Sequence, residues 1–199
     1  KKIININEPI NLSFENFQTA WLEVVKLLSN SQWEVRNLVV QIKNPAAINQ
    51  EFHKRITDFA QTVQLLGPKH VAYTIFPHTL YRNKGNSTNL FNAYNRAKGV
   101  YDKLHKRVHD WGTYFRRMTY YKGNDGPVNQ LDNIIDAIKK RNNRSKAAYT
   151  MVIQKPGGET IRPLGGPCLN YVAVQIDSDS SRQMTLGLLA VYRNHDFLE

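Results

Sequence analysis

The sequence predicts a single α/β (α+β) domain over residues 1–199, a mixed β-sheet flanked by helices. Three observations carry that expectation. Amphipathic segments at helical spacing alternate with short β-branched runs, the pattern of helices packed on a sheet. A hydrophobic content of 41% over 199 residues is enough to bury one sizeable core. Two strand-like runs, 169–176 and 184–192, flank the turn-forming segment 177–181 (Asp-Ser-Asp-Ser-Ser) and read as a hairpin.

Each element has its own local reason. Segment 13–28 sets Phe14, Phe17, Trp21, Val24, Val25 and Leu28 near helical spacing behind Ser13, a residue suited to an N-cap, so it predicts an amphipathic helix with its aromatic stripe toward the core. Segment 33–42 alternates and is β-branched around Leu38-Val39-Val40, and Asn44-Pro45 stops it, which predicts a strand. Segment 49–66 spaces Phe52, Ile56, Phe59, Val63 and Leu66 as a second helix closed by Gly67-Pro68. Segment 86–109 can be helical with Leu90, Tyr94, Ala97, Tyr101, Leu104 and Val108 on one side. Gly123-Asn-Asp-Gly-Pro127 punctuates before a further helix at 128–141, and a strand follows at 147–153.

Composition narrows the function classes. No run approaches the roughly 18 apolar residues of a membrane span, and no membrane association is expected. One cysteine rules out a disulfide within these residues and suits a reducing compartment, so a cytoplasmic location is the expectation. The six histidines show no zinc-protease spacing, and His105 and His109, one helical turn apart, sit among Lys and Arg; no metal site is predicted. The formal net charge of +11 implies attraction to an anion, either a phosphorylated small molecule or a nucleic acid. Segment 77–121 interleaves tyrosines with Lys and Arg. Such a pattern is read first as a basic face turned to solvent with its tyrosines toward the core, ahead of part of a nucleotide site and then of polynucleotide binding.

Cys168 is the chemically distinctive residue. A lone cysteine is ordinarily a small buried apolar residue. Here it follows Gly165-Gly166-Pro167, a turn that can present a side chain at the start of a strand, and the returning strand would bring Arg193 to the same end of the sheet. A thiol beside a guanidinium ionises more readily, which makes Cys168 a candidate nucleophile.

Pro167-Cys168 opening one strand, and Arg193-Asn194-His195-Asp196 closing the next 25 residues after the cysteine, resemble the nucleophile region of the thymidylate synthase and deoxypyrimidylate hydroxymethylase family. The resemblance runs upstream through the Asn129-Gln130 start of a helix carrying Ile and Leu positions, then a basic turn Arg144-Ser145-Lys146, then a core strand. It is strongest over residues 126–199.

The resemblance implies a thymidylate synthase-like fold and a C5 one-carbon transfer to a pyrimidine nucleoside monophosphate, with methylenetetrahydrofolate as donor. It implies Cys168 as nucleophile, Arg193 and Asn194 on the phosphate, and Asp196 at the base. Arg144 and Lys146 would match the family's basic pair, which reaches the phosphate of the neighbouring subunit's site, so a homodimer is implied as well. Asn194 stands where the family has serine, and Arg-Ser-Lys stands where it has adjacent arginines. No equivalent of the family's proton-handling glutamate is found in 71–82. The family's base-selecting asparagine, its ribose contacts and its folate-closing segment are expected beyond residue 199. The alternative function is a noncatalytic nucleotide- or nucleic-acid-binding protein on the same fold.

Overall fold

The computed structural model describes residues 8–64, 72, 73, 75–97, 112–140, 149–154, 167–178 and 183–192. Among them are six helices and seven strands in three small sheets, an α+β composition. The chain divides into two compact units, the first of residues 1–70 and 196–199 and the second of residues 71–195. No helix among the described residues is long and apolar enough to cross a membrane.

In the first unit, β1 (Ile10–Phe14) and β2 (Leu38–Ile42) pair in parallel, Ile10 opposite Leu38 and Phe14 opposite Ile42. Parallel neighbours need a crossover, and α1 (Phe17–Asn30) provides it. The sequence expectation of a helix from Ser13 is corrected here. Ile10, Leu12 and Phe14 alternate inward with Asn11 and Ser13 outward, a period of two that makes a strand through Phe14. The cap is Asn16, whose Oδ1 accepts the Thr19 N–H at 2.9 Å. The strand expected from Trp33 begins instead at Leu38, because Gln32, Trp33 and Asn37 adopt left-handed backbone, with φ of 59°, 65° and 54°. Helix α2 (Gln50–Thr62) is capped by Asn49, and its Phe52 meets Trp21 of α1 edge-on at 6.0 Å. Val24, Ala20 and Ala60 are the buried positions of this unit.

In the second unit, α3 (His78–Lys84) ends at Gly85, whose φ of 74° suits glycine. Helix α4 (Ser87–Arg96) is capped by Asn86, and the remainder of the helix expected to 109 lies outside the described residues. The short α5 (Tyr114–Thr119) leads into the two-residue hairpin strands β3 (Tyr121–Lys122) and β4 (Pro127–Val128). Helix α6 (Gln130–Lys140) follows, with Asp132 in its first turn and Lys139 and Lys140 in its last, as the helix dipole favours. Strands β5 (Thr150–Val152), β6 (Leu169–Ser178) and β7 (Met184–Tyr192) form an antiparallel sheet in that order. The β6–β7 ladder runs to Ser178 opposite Met184, so Asp177 and Ser178, expected in the turn, belong to the strand.

Two apolar clusters fill this unit. Met118, Ile134, Met151, Ile153, Leu169, Val172 and Val174 join α5 and α6 to the sheet. Leu90, Phe91, Tyr94 and Phe115 join α4 to α5. Leu131 packs against both clusters and ties them together.

Candidate functional site

The residues that position Cys168 can be traced outward from α5. Thr113 caps this helix, and its hydroxyl lies 2.6 Å from the buried Tyr94 hydroxyl of α4. Phe115 is fully buried, with the Tyr94 ring edge-on at 4.7 Å and Phe76 and Phe91 around it. Met118, four residues after Tyr114, enters the cluster beneath the sheet. With Phe115 and Met118 both fixed, the orientation of Tyr114 follows. Its hydroxyl oxygen accepts the Cys168 backbone N–H at 3.2 Å.

Around this contact the sheet and helix are latched together. Arg117 donates from Nη1 to the Ile153 carbonyl at 2.8 Å. Gln130 donates from Nε2 to the carbonyls of Val152 at 2.8 Å and Arg117 at 3.1 Å, and its Oε1 accepts the Val152 N–H at 2.8 Å. One side-chain amide thus pairs with β5 as a neighbouring strand would. Asn129 caps α6 by accepting the Asp132 N–H at 3.0 Å. The Asn129-Gln130 pair picked out in the sequence therefore starts a helix with one residue and fastens it to the sheet with the other.

Cys168 is half-buried and in no disulfide, immediately before β6. Leu169, the next residue, is buried and lies opposite Tyr192. The two strands slip by one residue between Leu169 and Tyr171, a bulge at Asn170. The Asn170 carbonyl accepts N–H groups from Ile153 at 2.8 Å and Gln154 at 3.2 Å. Beside it, Thr150, Val152, Gln154, Asn170 and Tyr171 line an open, largely apolar cleft of about 560 Å³. Neither Cys168 nor Tyr114 lines that cleft.

Two phenols share the thiol's surroundings. Burial raises the Tyr114 pKa above the usual value of about 10, the backbone N–H groups of Leu169 and Cys168 oppose the rise, the Cys168 thiol adds to it, and the Arg117 guanidinium opposes it more weakly. Burial also raises Tyr192, and the proximity of Tyr114 and Cys168 adds to that rise. Both phenols therefore keep their protons at neutral pH.

Of the residues singled out in the sequence, Cys168 is described; Arg144, Lys146, Arg193, Asn194 and Asp196 lie outside the described residues. The β6–β7 register carries Tyr192, the residue before Arg193, to the Cys168 end of the sheet. Sequence reasoning missed Tyr114, Tyr192 and Arg117. Tyr114 was visible only as one member of a Tyr- and Arg-rich stretch, and Tyr192 only as the last residue of a strand. No family model, curated protein or solved structure matches this chain.

Proposed function

We propose that this chain is a pyrimidine nucleotide C5 one-carbon transferase of the thymidylate synthase or nucleotide hydroxymethylase type, on a thymidylate synthase-like fold. The observation that supports it best is the setting of Cys168, half-buried before β6, with the Tyr114 oxygen on its backbone N–H and Tyr192 across the ladder from its neighbour. A pyrimidine resists electrophiles at C5 until a nucleophile adds at C6. The Cys168 thiolate forms the C6–S bond, the C5–C6 π electrons move toward the C4 substituent, and C5 becomes electron-rich. Tyr114 and Tyr192, protonated at their phenol oxygens, would donate hydrogen bonds to the developing charge.

Arg193 and Asn194 would hold the 5′-phosphate and Asp196 the base; Arg144 and Lys146 would reach the site of a second subunit. The roles of these five residues rest on the sequence resemblance. A folate donor supplies the one-carbon unit in such chemistry. The described groups at Cys168 are a thiol, two phenols and a guanidinium, and they include no partner for a pterin ring.

The test is intact mass spectrometry of the protein with 5-fluoro-dUMP, or its cytosine counterpart, and methylenetetrahydrofolate. A covalent adduct on Cys168, absent from Cys168→Ser, is the expected result; a wild-type protein that forms no adduct with either base overturns the reading. The +11 charge favours a second reading, a noncatalytic nucleotide- or nucleic-acid-binding protein. Steeply salt-dependent binding of DNA or RNA, with no adduct, would establish that one instead.

A further inference from the structure

The second unit holds all of the protein's excess charge. Residues 1–70 with 196–199 carry eight Lys and Arg against eight Asp and Glu, whereas residues 71–195 carry nineteen against eight. The imbalance is marked at α3 and α4, because no acidic residue occurs between Asp58 and Asp102. Arg82 and Lys84 of α3 and Arg96 of α4 are exposed, and the ion pairs found among the described residues all lie in the first unit. These cations are therefore open to an external anion.

The two helices are joined by a two-residue turn. Gly85, in left-handed conformation, donates its N–H to the Tyr81 carbonyl at 3.0 Å and ends α3. Asn86 is extended and starts α4, its Oδ1 accepting the Asn89 N–H at 2.8 Å. Leu80 of α3 packs against the cluster of Leu90, Phe91 and Tyr94, which fixes the pair of helices together. With that face buried, Thr88, Asn89, Asn92 and Arg96 stand open on α4. Asparagine recurs at every third position from Asn83 to Asn95. It is among the weaker helix formers, so its repeated use on an open helix face does not serve the helix itself.

We propose that α3 and α4 form a helix–turn–helix that binds duplex DNA, with α4 lying in the major groove. Such motifs join two packed helices through a short turn, often containing glycine, and the second helix enters the groove. An asparagine amide there can pair with both N6 and N7 of adenine, which gives Asn89 and Asn92 a partner. Arg82, Lys84 and Arg96 flank them and meet the phosphates. The absence of Asp and Glu from both helices serves the same contact, since a carboxylate on this face would repel the DNA backbone. Duplex RNA fits less well, because its major groove is too deep and narrow for side chains to read. The inference deepens the nucleic-acid reading above and rests on it, and it does not depend on the thiol chemistry.

Fluorescence anisotropy of the 199-residue chain with a labelled DNA duplex, across a salt series, tests it. Binding that weakens steeply with salt is expected. Arg82→Ala combined with Lys84→Ala should weaken it at least about tenfold and lower the salt slope by about 2, one for each phosphate contact. Lys139→Ala combined with Lys140→Ala removes the same charge from the exposed end of α6 and should change affinity by less than about twofold. Asn89→Ala combined with Asn92→Ala should keep the salt slope and flatten the preference for adenine, among duplexes selected from a random pool, by about tenfold. Cys168→Ser should bind as the wild type does. Equal losses in the α3 and α6 variants would mean that overall charge holds the DNA, which overturns this surface and leaves the nucleic-acid reading standing. Tighter binding of duplex RNA than of duplex DNA also overturns the surface, and no binding of either overturns both.

Discussion

Tyr114 joins two kinds of role in one side chain. Its ring packs against the cluster of Met118, Ile134 and Leu169, and its oxygen holds the peptide N–H of Cys168. Tyr114→Phe keeps the packing and removes the acceptor, leaving a part-buried N–H without that partner. A loss of about 1 kcal/mol in urea unfolding is expected, together with faster hydrogen exchange at the Cys168 amide and unchanged exchange at Val172 and Val174. Equal protection of the Cys168 amide in both proteins would show that the contact carries no weight. The same oxygen sets a pH dependence. The folded-state pKa of Tyr114 and of Tyr192 lies above the unfolded value, so the stability these groups contribute is complete below about pH 10 and is lost as pH rises through the folded pKa. Alkaline unfolding should therefore begin above about pH 10. Tyr114→Phe should flatten that decline, which thermal melts across the alkaline range can read.

At the scale of elements, α5 and Gln130 are the joints of the second unit. The six residues of α5 are too few to be stable alone, so tertiary burial must hold them. Phe115→Ala, which empties a fully buried position among Tyr94, Phe91 and Phe76, should cost about 3–5 kcal/mol in chemical denaturation. Gln130→Ala removes three hydrogen bonds, two of them to Val152, at a partly exposed place. About 1–2 kcal/mol is expected, with the Val152 amide losing exchange protection before those of β6. A variant in which β5 stays as protected as β6 would refute the latch.

Much at this scale was legible in the sequence. Ile and Leu spacing placed α6 within a residue or two of its bounds, and an uncharged apolar run fixed β7 at Met184–Tyr192. Boundaries failed where two local signals competed. Ser13 could cap a helix, but Asn16 did, and the alternation of Ile10, Leu12 and Phe14 took the residues in between. The contact of Tyr114 with Cys168 was not legible, because 54 residues separate them and no local period encodes which turn of a short helix faces which strand end.

Over the whole molecule, charge and burial are unevenly spread. The net charge is +11. The ion pairs found among the described residues, Lys26–Glu23, Arg36–Glu34 and Arg55–Glu51, are local and exposed, and each contributes at most about 1 kcal/mol. Among the described residues of the second unit, the sheet strands carry Asp177 as their single charged side chain, and the lysines and arginines lie on the helices and the β3 hairpin.

The bulge at Asn170 has a consequence at the level of the gene. Pro167 and Leu169 before it and Val172 and Val174 after it all point into the core, which an unbroken alternation could not achieve, and Cys168 falls between the core positions. The bulge absorbs one extra residue, so the alternation resumes after it with the same face inward. Losing that one codon would let plain alternation carry Leu169, Val172 and Val174 inward with Cys168 still between them, and what the sheet would give up is the Asn170 carbonyl that accepts the N–H groups of Ile153 and Gln154.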